Sequence, residues 1–356
     1  NILPKDQYAF LPGRSTIPAA LMRRMLLEDA YANHKNLYLL DLDLSGGYDR
    51  IQKWVLHAAL LRFGVDEDTI SFILNTASMC TVGVLTAFGE CEAFKPVAGA
   101  LAQGCDTSCA LWVCLTDWWL DTMQAHNTNP YEYQTGKNTT ENLFACIYAD
   151  DGTWCQSDRN AIERCLQGAN DFCDFTGQEI SAAKSHALAV EWAANKSYET
   201  PTQPLQLKLW RTKGNAKDPD ITTSLSEVQY PSNMSFTNWA LYHESTETVE
   251  WKPVSEHIRH LGNTQSADGS HSEMVNQMTK DMRTATRALQ RKVIKTLGAQ
   301  QIANIVLTPK MKYQMVLSNT NEAEINKIQT IVKDMLCKKH RMCTKSRNSA
   351  LWGNIN

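Results

Sequence analysis

Residues 143–154 read Leu-Phe-Ala-Cys-Ile-Tyr-Ala-Asp-Asp-Gly-Thr-Trp: an apolar run climbs to Asp150 and Asp151, meets Gly152 and returns apolar. The pattern predicts a tight β-hairpin with carboxylates at its tip. Adjacent acids repel one another, and a turn gains nothing from the pair, although Asp and Gly also occur in ordinary turns. A hard divalent cation is the natural reason for them. Mg²⁺ takes oxygen ligands and bridges one or two carboxylates to substrate phosphates.

A second acidic strand lies upstream. Leu37 to Ile51 has the same grammar: a hydrophobic strand carries Asp43 near its end, and Gly46, Gly47 and Tyr48 follow. Two strands that each deliver a carboxylate to one sheet edge can hold two metals about 3.5–4 Å apart, the arrangement used for in-line phosphoryl displacement. Asp43 and Asp150 are the expected ligands, with Asp151 as a third and the backbone carbonyl of Leu44 beside them. Asp41 shares a face with Asp43 under period-2 alternation and competes as a ligand. Its plainer reading is a partly buried strand acid.

At these residues the chain resembles the reverse transcriptases, in particular those of non-LTR (LINE-like) retrotransposons. Asp6 to Thr16 is similar to the family's Q-x-G-F-R-x-G-R-S-T block, and Asp43 to Asp49 to its D-x-x-x-A-F-D motif, with Gly47 for the usual Ala and Tyr48 for Phe. Ala100 to Ser108 resembles G-V-R-Q-G-x-P-x-S, Tyr148 to Asp151 matches Y-A-D-D, Thr176 to Ser185 resembles G-L-x-I-N-x-x-K-T, and His257 to Gly262 the primer-grip block. Six blocks fall in order along nearly the whole chain. Ala9, Leu11, Ala100, Ala102, Asp106 and Ser181 depart from the family's usual Gly, Arg, Gly, Arg, Pro and Asn, all at supporting positions.

The resemblance implies an α+β right-hand polymerase: a palm with an antiparallel sheet, partial fingers and a helical thumb. It implies an RNA-directed DNA polymerase that joins dNTPs to a DNA primer on an RNA template, using two Mg²⁺ ions, with Mn²⁺ as a possible substitute. Tyr48 would lie under the sugar and select deoxynucleotides, or serve as core packing. Gln103 and Gly104 would meet nucleotide and template, or simply start a helix. Lys184 would neutralise or protonate pyrophosphate, Arg14 would contact phosphates, and His260, Leu261 and Gly262 would grip the primer. A solvated lysine, a solvated arginine and a plain hairpin are the alternatives. An RNA-dependent RNA polymerase, a non-catalytic RNA-binding palm remnant and a group II intron maturase remain competing readings. Tyr48 and Gln103-Gly104 speak against the RNA polymerase, and Gly-Gly-Tyr-Asp speaks against the maturase.

Charge is divided along the chain. The net charge is −3, but residues 273–347 carry 15 Lys or Arg against 5 Asp or Glu, and residues 1–272 carry 20 against 33. A basic C-terminal module beside an acidic body suits a phosphate-gripping thumb. Eleven cysteines, odd in number and mostly inside apolar runs, do not suggest a disulfide scaffold and point to a reducing, intracellular setting. Cys337, His340 and Cys343 invite a zinc-knuckle reading, but the ligand set is incomplete. No apolar run is long enough to span a membrane. The chain begins mid-motif without Met, so an internal piece of a longer polyprotein fused to an endonuclease or other domains is expected. Nuclear residence is what the family implies; no tract in the sequence argues for it.

The expected organisation is partial fingers over 1–36, a palm with interleaved fingers elements over 37–191, an irregular insertion over 192–250, a primer-grip hairpin over 251–268, a helical thumb over 269–347 and a tail over 348–356. Periodicity predicts helices over Pro18–Ala32, Trp54–Phe63, Thr69–Ala77, Ser108–Ala125 and Asn160–Phe175. It predicts a hairpin within Cys80–Val97 and a polar loop over Tyr131–Asn142. In the thumb, helices are expected over His271–Thr296, Ala299–Val316 and Glu322–Lys338.

Overall fold

The computed structural model describes residues 4–79, 81, 83–87, 89–93, 101–102, 105–193, 197–199, 201, 203–212, 242–266, 268–318 and 320–339. The chain forms two compact units, residues 1–253 and 254–356.

The first unit begins with α1 (Thr16–Asn33), β1 (Leu37–Leu42), α2 (Gly47–Arg50), α3 (Lys53–Arg62), α4 (Glu67–Met79) and a short hairpin, β2 (Leu85–Thr86) with β3 (Gly89–Glu90). Then come α5 (Asp106–Ala125), β4 (Tyr131–Gly136), β5 (Thr139–Leu143), β6 (Ala145–Tyr148), β7 (Asp151–Gln156) and α6 (Arg159–Thr176). The unit closes with β8 (His186–Trp192), β9 (Tyr198–Glu199), β10 (Leu205–Thr212), β11 (Tyr242–Val249) and β12 (Trp251–Lys252). The five long helices expected from periodicity all form, within two residues of the expected ends. Their termini carry the usual chemistry. Asp158 caps α6 by accepting from the Ala161 N–H at 2.8 Å, and Gly177 ends it in the left-handed region at φ +74°.

The central sheet runs β12-β8-β1-β7-β6, with β9 on β8. Pairing is antiparallel except between β12 and β8. β1 is buried along its whole length, as expected of a central strand covered on both faces. Tyr38, Leu40 and Leu42 enter the main core with Trp112 and Trp119 of α5, Trp154 of β7 and Phe172 of α6. Asp41, on the other face, meets Arg23 of α1. Trp119 packs edge-on against Trp154 and stacks on Phe172, with ring centroids 5.2 and 6.0 Å apart.

Three expectations for this unit are corrected. Residues 131–142 are not a loop: β4 and β5 form a hairpin whose Tyr131 is buried and donates its hydroxyl to Asp29 at 2.7 Å. The polar Thr, Gln and Glu residues there obscure an alternation that begins with Tyr131 and Tyr133. Residues 192–250 are not irregular throughout, because β10 and β11 pair over eight residues, with Leu205, Leu207 and Val249 in the main core. β12, expected in the primer-grip hairpin, belongs to the palm sheet.

The second unit holds β13 (His257–His260), β14 (Asn263–Ser266), α7 (Ser272–Arg291), α8 (Thr296–Ile302), a π-helical turn (Ala303–Leu307), α9 (Thr308–Val316) and α10 (Glu322–Lys339). α7 stops at Arg291, short of the expected Thr296, where Lys292 takes an extended conformation and Val293 and Ile294 follow. β-branched residues make poor helix formers. The second expected thumb helix begins earlier and contains the π turn. Pro309 has no N–H to donate back into the helix, and the Thr308 N–H reaches the Ala303 carbonyl, five residues back. Met278, Met282, Leu307, Ile328, Val332 and Met335 anchor this unit's core. Cys337 is buried in it, while His340 and Cys343 lie outside the described residues.

Leu40 is fully buried in β1 between two paired strands. Leu40→Ala should lower unfolding free energy by about 2–5 kcal/mol in urea titration.

Candidate active site

β-sheet register brings the acids together. β1 pairs Leu42 with Gly152, so the next position along sets Asp43 beside Asp151. β6 and β7 pair Tyr148 with Asp151 around the Ala149-Asp150 turn. On the other side β1 pairs Asp41 with His186, so Lys184 arrives beside Asp43.

The backbone of Asp43 is fixed by the segment before β8. Its carbonyl accepts from the Ser181 N–H at 2.9 Å, and its N–H donates to Ser185 Oγ at 3.1 Å. Ser45 N–H donates to the Glu179 carbonyl at 2.8 Å, and Arg50 pairs with the Glu179 carboxylate at 2.7 Å. Leu44 bridges to Ile180 with its side chain buried, which leaves only its backbone to offer a ligand.

Asp43 Oδ2 lies 3.2 Å from Lys184 Nζ without hydrogen-bond alignment, so this buried oxygen has no hydrogen-bond donor among the described residues. Lys184 is 69 % exposed, so water screens the pair. Asp150 has its carboxyl pushed up, first by desolvation and then by the charge of Asp43. Asp151 is exposed as a residue, yet desolvation and the carboxylates of Asp150, Asp43 and Asp41 push its carboxyl up to about 6, against the pull of Lys184.

Those facts bear on a divalent cation. Mutually repelling carboxylates and a buried oxygen without a hydrogen-bond donor are suited to a hard cation with oxygen ligands. Among the described residues no group of three or more His, Cys, Asp or Glu converges on one point. A site completed by substrate phosphates needs fewer protein ligands. Asp43, Asp150, Asp151 and the Leu44 carbonyl offer oxygen donors of the kind a hard divalent cation takes.

Asp41 has other work. Arg23 donates to its Oδ2 at 3.0 Å, Thr153 donates to its Oδ1 at 2.5 Å, and His186 Nε2 lies 3.0 Å from Oδ2. A buried charge needs such partners, and they leave Asp41 a structural acid.

Tyr48 lies flat on Trp112, with centroids 4.5 Å apart and planes 9° from parallel. Its hydroxyl is pushed up by burial and by Cys109 and Asp150 nearby. Gly47 packs against the same indole: a Cβ there would sit 2.8 Å from Trp112 Cη2. The departure from Ala at this position thus has a steric reason. Asp106, in place of Pro, opens α5, where a carboxylate suits the helix dipole.

Arg14 points one guanidinium nitrogen at the carbonyls of Pro4, Lys5 and Gln7, which ties down the N-terminal loop. His260, Leu261 and Gly262 belong to the second unit. Leu261 and Gly262 form a two-residue turn with φ +48° and +76°, and the Leu261 carbonyl accepts from Tyr313 at 2.6 Å. Gln103 and Gly104 lie outside the described residues. Ser185, Gln7 and Trp112 carry site contacts that sequence reasoning missed. The one available signal was Gly47, a missing methyl group that calls for a bulky neighbour.

An antiparallel sheet that gathers acids from neighbouring strands at one edge, backed by α5 and α6, is the palm of a right-hand polymerase. Residues 1–235 match the family described as reverse transcriptase (RNA-dependent DNA polymerase), and the chain belongs to that family. No curated protein matches it. Among solved structures it is similar to an apo telomerase of Candida tropicalis truncated from its C-terminal domain, at 15 % identity over 53 % of this chain and 37 % of that one, TM-score 0.41. It is also similar to telomerase of Candida albicans in complex with a TWJ fragment of telomeric RNA, at 11 % identity over 92 % and 47 %, TM-score 0.37. A Candida tropicalis telomerase in complex with such a fragment shares 10 % identity over 94 % and 51 %, TM-score 0.39. The chain thus spans between 37 % and 51 % of the length of these telomerases.

A folded carboxyl raised to about 6 favours the folded state below the usual carboxylate value and costs stability as pH rises through 6. In metal-free buffer, Asp151→Asn should therefore raise Tm at pH 7.5 by calorimetry, and the gain should vanish by about pH 4.

Proposed function

We propose that the chain is the polymerase core of a non-LTR retroelement and copies RNA into DNA by adding deoxynucleotides to a primer 3′-hydroxyl. The observation that carries this reading is the juxtaposition of Asp43, one residue past the end of β1, with Asp150 and Asp151 at the β6–β7 turn. Divalent cations held by these carboxylates and the Leu44 carbonyl would supply the charge neutralisation and alignment that in-line nucleotidyl transfer needs.

The chain's own groups have separable tasks. Asp43 is held by its backbone from Ser181 and Ser185, so its carboxylate approaches a substrate from a fixed strand end. Lys184 shares its charge with Asp43 on a mostly exposed side chain, so it can move to a leaving pyrophosphate. Charge placed at the leaving group stabilises the transition state of phosphoryl transfer. Tyr48 is braced on Trp112, and its ring would lie under the sugar and collide with a ribose 2′-hydroxyl, as the resemblance implies. His260 to Gly262 would hold the primer strand and Gln103-Gly104 the nucleotide and template, as the resemblance implies. RNA template, DNA primer and dNTPs are the proposed partners, with recognition through shape and backbone. Fusion to an endonuclease and nuclear residence belong to the same proposal. No described helix is long and apolar enough to cross a membrane.

Primer extension on an RNA template with Mg²⁺ and dNTPs tests the reading, beside Asp150→Ala and an rNTP lane. Extension with dNTPs that Asp150→Ala reduces by about 10³-fold is expected. Extension with rNTPs alone would make the protein an RNA polymerase, and RNA binding without extension would make it a non-catalytic palm. Tyr48→Ala should reduce discrimination against rNTPs by about 10–100-fold in single-nucleotide competition, with the primer–template Kd unchanged.

A further inference from the structure

The two peptide groups of Ala149, between Tyr148 and Asp150, are gripped from different parts of the chain. The Ala149 N–H donates to Gln7 Oε1 at 3.3 Å, and the Ala149 carbonyl accepts from Trp112 Nε1 at 2.9 Å. Ala149 has φ +57°, a left-handed conformation that costs a residue with a side chain and persists only where the surroundings enforce it. The grip supplies that enforcement at the turn that carries the acids.

Both grips run back to one helix. Trp112 is in α5 and fully buried. Gln7, also fully buried, donates through Nε2 to Thr116 Oγ1 at 3.1 Å, one helical turn along α5. Gln7 is itself seated on β6: the Tyr8 N–H donates to the Ile147 carbonyl at 2.7 Å, and the Ile147 N–H to the Asp6 carbonyl at 2.9 Å. The indole has little freedom. Tyr48 covers it in a near-parallel stack, and Gly47 leaves the space its ring edge fills.

We propose that Trp112 and Gln7 are positioning residues that clamp the peptide groups on either side of Ala149 and so aim Asp150 and Asp151 toward Asp43. Gly47 is the matched half of the device, because a methyl group there would push the indole off the Ala149 carbonyl. The same indole supports Tyr48, so one side chain aligns the acids and the sugar-facing ring together. The inference rests on the polymerase reading for its kinetic consequence, but not for its consequence for cation binding.

The test uses the full chain and Trp112→Phe, which keeps an aromatic ring against Tyr48 and removes the N–H donor. Gly47→Ala, which replaces no side chain of the clamp but crowds the indole, is the second variant, and the double variant the third. Mn²⁺ binding to the metal-free protein is read by electron paramagnetic resonance, single-nucleotide incorporation by rapid quench, and folding by Tm. Trp112→Phe should bind Mn²⁺ about tenfold more weakly. It should lower kcat by about 10–100-fold, with the dNTP KM within about threefold. Gly47→Ala should reproduce both losses, and the double variant should be no worse than Trp112→Phe alone, since the smaller ring makes room for the methyl group. Wild-type Mn²⁺ affinity and kcat in folded Trp112→Phe and Gly47→Ala would overturn the proposal, as would a wild-type protein that takes up no Mn²⁺. Weakened Mn²⁺ binding in Trp112→Phe, with no nucleotide incorporation by the wild type, would uphold the clamp and sink the polymerase reading instead.

Discussion

Like charges held at the ends of neighbouring strands push one another apart, and much of the first unit opposes that push. Asp43, Asp150 and Asp151 gather because antiparallel register leaves their positions no alternative. Burial of β1 on both faces fixes that register, since a one-residue slip would send Leu40 and Leu42 to the face of Asp41, and Asp41 itself into the main core. The acids are thus a consequence of hydrophobic packing some way down the strand. What they lack in mutual attraction is supplied by the covered sheet beneath them.

The neighbouring acid Asp41 shows how the same strand treats a charge differently two residues earlier. There the sheet is closed over, and Arg23, Thr153 and His186 surround the carboxylate. At Asp43 the cover ends, the pairing cation is a mostly exposed lysine, and one carboxylate oxygen has no hydrogen-bond donor among the described residues. Depth along β1, and not residue type, separates a structural acid from one that can take a ligand.

Much of this was legible in the sequence. The acidic strands, the long helices and the basic C-terminal unit follow from period-2 and period-3.6 patterning and from local charge. What escaped was set by tertiary partners. The β4–β5 hairpin has a polar sequence and is fixed by Tyr131, whose hydroxyl partner Asp29 lies far back in α1. The break after α7 falls among residues that look helical until the β-branched pair is weighed. Trp112 reads as one of several aromatic core residues of α5, and its indole N–H has a destination only once β6 and β7 are folded. Arg14 sits in a block where phosphate contact is expected, and nothing local says that backbone carbonyls would also engage one of its nitrogens.

The π turn in the second unit has a geometric consequence for the helix that contains it. Ala299, Ala303, Leu307 and Met311 are all buried and each is four residues from the next. An α-helix turns once in 3.6 residues, so a strict spacing of four would carry that apolar stripe steadily around the barrel of the helix and out of the core. The wider turn over Ala303–Leu307 takes up the excess and returns the stripe to the side facing Met278 and Val332. The surplus residue works as a phase correction. Straighten this stretch into a regular α-helix with all its residues kept, and Met311 and everything after it would rotate relative to Ala299; remove the surplus residue as well, and the stripe would keep its side.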